Sequence, residues 1–119
     1  MYYLAGPYTH EDERVRQLRY EVLSQVAGNM MDNDEYVFSP ITHGHAIEIS
    51  CKRAINYHRW IAHGLMMLEL SQVVFVAQLD GWKESAGVQV EIAMAKAKNI
   101  PIQYIQKQDI AKMVDYRDY

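Results

Sequence analysis

Cysteine is almost missing from this chain: Cys51 stands alone, so no disulfide can close within it. An excess of positive charge is lacking too, with 12 Lys and Arg against 15 Asp and Glu and a formal net charge of −3. Surfaces that grip nucleic-acid polymers usually carry a basic surplus, so that class of partner is not expected. A single nucleotide as ligand remains compatible with this balance. The opening residues MYYLAGPY lack a basic leader, and no apolar run approaches membrane-spanning length. Neither an export signal nor a membrane partner is therefore expected, and a reducing cytoplasm is the simplest location. Repeats, low-complexity stretches and linkers are also missing. Residues 1–119 read as one domain, half of it apolar or aromatic, which suffices for a single core.

What is present alternates between strands and helices. Met1–Ala5 is a short apolar run stopped by Gly6-Pro7, and a helical pattern follows from Glu11 to Met31, with Val15, Leu18, Val22, Val26 and Met30 on one stripe. Thr9 or His10 would precede its first turn. Tyr36–Phe38 is a second strand, halted by Ser39-Pro40, and ITHGHAI reads as a polar loop. After a turn around Ile49–Ala54, a helix is expected from Asn56 to Leu70. Gln72–Leu79 is an unbroken β-branched and aromatic run, the pattern of a central parallel strand. Helix Ala86–Lys98, with Asn99 as its C-cap, strand Ile102–Ile105 and a short helix in the tail DIAKMVDYRDY complete the chain. This order predicts a parallel sheet of about four strands covered on both faces, a three-layer α/β/α arrangement.

In such sheets ligands bind beyond the carboxyl ends of the strands. Loops AGPYTH, SPITHGH and LDGWKES then share one rim, together with the residues after strand four. At 100° per residue Glu91 falls among the apolar positions of its helix. A buried carboxylate is costly unless paired, and one aimed into a rim pocket suits a nucleophile. A helix glutamate bridging to a basic residue is the plain alternative. Ser85 caps the same helix, whose first N–H groups can bind phosphate or simply end there. Gly87 permits close backbone approach. His43 and His45 lack a third ligand at metal spacing, so no metal is expected; either can contact a substrate hydroxyl or phosphate. His58 and His63 lie on the third helical region, in surface or core positions. Tyr3 and Tyr8 flank the first strand end, where a ring can stack on a base or pack in the core. Trp82 sits on the rim as a contact or as a lid over the sheet edge.

YLAGPY, VFSPITHGH and LDGWKESAGVQVEIAMA, in this order, resemble the nucleoside 2-deoxyribosyltransferase-like superfamily, nearest to its DUF1937 branch with the DUF4406 group close by. The resemblance runs from Tyr2 to about Ile105. Its most specific part comprises Gly81, Trp82, Ser85, Gly87, Glu91 and Ala95. It implies a Rossmann-like, flavodoxin-type sandwich that assembles as a homo-oligomer, dimer or tetramer, and needs no cofactor. Glu91 would attack the anomeric carbon of a nucleoside or nucleotide, and Ser85 would meet a 5′-phosphate. The strand-one loop with Tyr3, Gly6, Pro7 and Tyr8 would line the base and sugar site, with Ser39, Asp80, Gly81 and Trp82 on the neighbouring rim loops. Superfamily enzymes carry an acidic aspartate on the helix before strand three. His63 or Gly64 occupies that place here, and Leu65–Leu79 contains no aspartate. His63 would then be the general acid.

The expected activity is cleavage of the N-glycosidic bond of a nucleoside or nucleoside 5′-monophosphate, by hydrolysis or deoxyribosyl transfer. Oxocarbenium character at the anomeric carbon is met by a carboxylate, as in retaining glycosidases. The rival is a protein that binds a nucleotide in the same pocket without cleaving it, and a third reading takes an NAD-type or cyclic nucleotide as substrate. The third helical region around Met66, Met67 and Leu68 is apolar over much of its circumference, which points to self-association through it and the first helix.

Overall fold

The computed structural model describes residues 1–115 and 119. Its elements are β1 (Tyr2–Ala5), α1 (Glu13–Asp32), β2 (Val37–Phe38), α2 (Pro40–Cys51), α3 (Tyr57–Glu69), β3 (Val73–Ala77), α4 (Ala86–Ala97), β4 (Ile102–Ile105) and α5 (Lys107–Ile110). The strands form one all-parallel sheet in the order β2-β1-β3-β4, with Tyr2 opposite Val73 and Val74 opposite Ile102. This is the expected three-layer α/β/α architecture.

Period-two alternation divides the core between the sheet's faces. Leu4 and Ala77 turn to one side with Val22, Leu23, Val26 and Met30 of α1 and Ile110 of α5. Tyr3, Ala5, Val74 and Val76 turn to the other, meeting Leu68 of α3 and Val88, Ile92 and Ala95 of α4. β2 and β3 leave β1 in opposite directions, so the carboxyl ends of β1 and β3 border a crevice where the strand order reverses.

Most boundaries differ from the sequence reading by a residue or two. The first helix starts later than expected because Asp12, not Thr9 or His10, caps it, accepting from Arg14 N at 2.9 Å. Asn56 caps α3, and Asn99 lies just past the C-cap of α4 with φ 56°. Of the expected tail helix only Asp109 and Ile110 are helical, as the end of α5; residues 111–115 are turn and irregular chain, and residues 116–118 lie outside the described residues.

One segment is a correction. ITHGHAI is not a loop; it lies inside α2. Ser39 caps that helix through a 3.4 Å bond from Thr42 N, and Pro40 takes the first helical position, where its missing N–H costs nothing. Gly44, which argued for a loop, is buried against Trp60 of α3. An ideal Cβ there would lie 3.6 Å from the indole, at ordinary van der Waals distance, so α2 and α3 pack closely at a point where a small side chain would also fit.

Candidate functional site

A cavity of about 280 Å³ opens at the carboxyl edge of the sheet, on the α3/α4 side. Its inner end is built by Tyr3 of β1, Glu91 of α4 and Gly64 of α3. Ser85, Ala86 and Gly87 at the start of α4 and Gly6 and Tyr8 after β1 form further walls. Ile41, Gly44, His45 and Glu48 of α2, with Tyr57, Trp60 and Ile61 of α3, complete the lining. Gly64 to Trp60 is one turn of α3 and Gly64 to Tyr57 nearly two, so the cavity follows the helix for roughly 10 Å.

Glu91 is buried, and the Tyr3 hydroxyl donates a short hydrogen bond to its Oε2. Burial pushes the Glu91 carboxyl up from 4.5 to about 7, against the opposing effect of the Tyr3 bond. Burial also drives the Tyr3 phenol far upward, and the neighbouring Glu91 charge adds to that, so Tyr3 stays a donor. This arrangement depends on Gly64. A Cβ there would come within 2.9 Å of Tyr3 Oη and meet nothing else within 4 Å. An aspartate at this place, expected from the resemblance, would collide with the hydroxyl that holds Glu91.

α4 begins with Ser85, whose Oγ accepts from Val88 N at 3.2 Å. The earlier N–H groups of a first helical turn have no partner within the helix and carry the positive end of its dipole. Ala86 and Gly87 thus bring anion-attracting N–H groups to a cavity that also holds Glu91. On the α2 side, His45 Nδ1 lies 2.7 Å from Tyr8 Oη and its ring stacks on Tyr20 at 4.0 Å. Burial lowers the His45 pKa, with the Glu48 charge opposing it, which favours the neutral imidazole. Glu48 Oε2 accepts from Trp60 Nε1 at 2.9 Å and from Ile55 N at 2.6 Å. A second hollow of about 520 Å³, bordered by Arg16, Lys52 and Arg53, shares Tyr8, His45 and Glu48 with the first.

Of the residues singled out from sequence, Glu91, Tyr3, Gly6, Tyr8, His45, Ser85 and Gly87 meet around this cavity. The others stand elsewhere. His63 is exposed and stacks on His43 at 5.7 Å, because its position on α3 turns it away from the Gly64 face. Ser39 is the buried cap of α2, and Pro7 is fully buried. Asp80 pairs with Lys107 at 2.7 Å. Gly81 adopts φ +89° beneath the Arg19 guanidinium, where a Cβ would lie 2.6 Å from Nη2. Trp82 packs on Tyr104 over β4, as a lid on the sheet edge would.

The sequence reading passed over Glu48, Tyr57 and Trp60 as wall residues, and of the pair His63 and Gly64 it took His63 as the functional one. The signal for the α2 wall was in place: Ile41, Gly44, His45 and Glu48 follow the i, i+3, i+4, i+7 spacing of one helical face. It becomes visible once Ser39-Pro40 is taken as a helix start.

Among the described residues no group of three His, Cys, Asp or Glu converges as metal ligands would. No described helix is long and apolar enough to cross a membrane. No curated protein matches the chain. One family model does, over residues 1–107, a span that takes in every strand and every wall of the cavity. The chain belongs to the family described as "Domain of unknown function (DUF1937)".

Proposed function

We propose that the protein cleaves the N-glycosidic bond of a nucleoside or nucleoside 5′-monophosphate, with Glu91 as nucleophile. The observation that carries this reading is the buried Glu91 carboxyl, held by Tyr3 in a cavity whose wall includes the start of α4. As the base departs, the sugar gains oxocarbenium character. The Glu91 carboxylate closes on the anomeric carbon from the opposite face, and water or a second base then releases the sugar. Ser85 and the first N–H groups of α4 anchor the 5′-phosphate, and that binding energy orients the sugar. The resemblance to the nucleoside 2-deoxyribosyltransferase-like superfamily supports the same assignment of Glu91 and Ser85.

A second reading, nucleotide binding without cleavage, is favoured by one specific feature. α3 offers Gly64 where an acid would protonate the leaving base, and His63 faces away from the cavity. Incubation with a panel of nucleosides and 5′-monophosphates, followed by chromatography for free base, separates the two. Base release is expected in the native protein, rising as pH passes about 7 and Glu91 ionises, and absent in Glu91→Gln. Tight binding with no base released at any pH from 5 to 9 would establish the second reading instead.

We further propose a reducing compartment, consistent with the exposed free thiol of Cys51, and self-association through exposed parts of α3 and α1.

A further inference from the structure

Among the described residues, Glu48 is the one carboxylate besides Glu91 that lines the cavity. It sits near the end of α2, in the same cavity lining as Trp60. Two N–H donors from different parts of the chain, the Trp60 indole and the Ile55 backbone, both bind its Oε2. Oε1 takes no hydrogen bond among the described residues. The carboxyl is thus fixed in orientation through Oε2, and Oε1 keeps its full capacity to accept. Aromatic rings of Tyr57 and Trp60 stand beside it in the wall. A flat, hydrogen-bonding ring system suits such a neighbourhood.

Resting on the glycosidic reading, we infer that Glu48 is a specificity-determining residue that selects nucleobases carrying an exocyclic amino group. With the sugar beside Glu91 and Gly64, the base extends along α3 towards Trp60 and Glu48. Oε1 can only accept, so it attracts the amino group of cytosine or adenine and repels the carbonyl that uracil or hypoxanthine presents in its place. A buried site built to hydrogen-bond a group discriminates strongly against the analogue lacking it.

The fixed orientation makes the test sharp. In Glu48→Gln the amide oxygen must stay with Trp60 Nε1–H and Ile55 N–H, because the –NH2 group cannot accept from them. The –NH2 group therefore replaces Oε1, and a donor replaces an acceptor. Calorimetric titration would use the 5′-monophosphates of cytidine, uridine, adenosine and inosine, in ribo and 2′-deoxy forms. The host is Glu91→Gln, which does not turn ligand over, with and without Glu48→Gln. The amino member of each pair is expected to bind about tenfold or more tightly to the host, and the order within each pair to reverse once Glu48→Gln is added. Equal affinities within the pairs, or an order that Glu48→Gln leaves unchanged, would overturn the role of Glu48 while leaving the glycosidic reading intact. Failure of all these nucleotides to bind either protein would overturn both.

Discussion

Glu91 carries a cost that the fold accepts. Its carboxyl is in contact with Tyr3 and is buried beside apolar neighbours such as Val88 and Ile92, so its neutral form is favoured up to about pH 7. A free glutamate loses its proton near 4.5. Between these values the folded chain holds a proton that the unfolded chain has released. The stabilisation is complete below pH 4.5 and is lost as pH rises through 7. At 1.36 kcal/mol per pH unit the interval amounts to roughly 3 kcal/mol. Glu91→Gln keeps an acceptor for Tyr3 and removes the titration. Urea denaturation at pH 5, 7 and 8.5 should therefore show the variant gaining on the native protein as pH rises, by a few kcal/mol at pH 8.5. A constant difference between the two across that range would contradict the burial argument. Packing alone would be served by a leucine, so this cost agrees with the nucleophilic role proposed for Glu91.

At the scale of elements, α3 and β1 are fitted to each other at a single point. Gly64 lacks a side chain because Tyr3 Oη occupies its place. Glycine inside a helix costs about 1 kcal/mol relative to alanine, so Gly64→Ala ought to stabilise α3. In the native background the new Cβ meets Tyr3 Oη at 2.9 Å, on a rigid ring that can yield only by straining its bond to Glu91. In Tyr3→Phe the obstructing oxygen is gone, and no other atom lies within 4 Å. Gly64→Ala is thus expected to be neutral or destabilising alone and stabilising by up to about 1 kcal/mol in Tyr3→Phe. Thermal melts of the four proteins of this cycle check it; equal effects in both backgrounds would show that the contact has no energetic weight. The same pair of elements shows what a sequence can and cannot disclose. β1 and β3 are continuous apolar runs and were legible, as were the Ser85 cap and the inward face of α4. α2 was misread because Thr42, His43 and Gly44 are weak helix formers in isolation. What stabilises that helix is tertiary: Gly44 against Trp60, and Glu48 bridging to Trp60 and Ile55. Such contacts leave no periodic trace until the helix is assumed, so Glu48 and the aromatic wall stayed hidden with it.

For the whole molecule, a radius of gyration of 13.3 Å is close to the ~13.5 Å expected of a compact domain of this length. Compactness, however, leaves Met66 and Leu70 exposed at 67% and 69%, one turn apart at the end of α3. Their helix buries Leu68 against the sheet and forms the cavity wall through Gly64, Ile61 and Trp60. On its remaining face Met66 and Leu70 share the surface with the polar residues Arg59, His63 and Glu69. Scattered apolar residues on a surface are ordinary, but two adjacent ones on an otherwise occupied helix suit a helix of a second copy. Self-association there would hold α3, and with it the cavity wall, in place from outside. Light scattering at micromolar concentration is expected to give at least a dimer for the native chain, and a monomer for Met66→Lys combined with Leu70→Lys. Both positions are solvent-facing, so the double variant should retain its fold by circular dichroism. A native chain that runs as a monomer would remove the proposed interface. An oligomer that survives both lysines would move it to another exposed surface, for which Tyr36 and Met31 beside the two-residue edge strand β2 are the next to test.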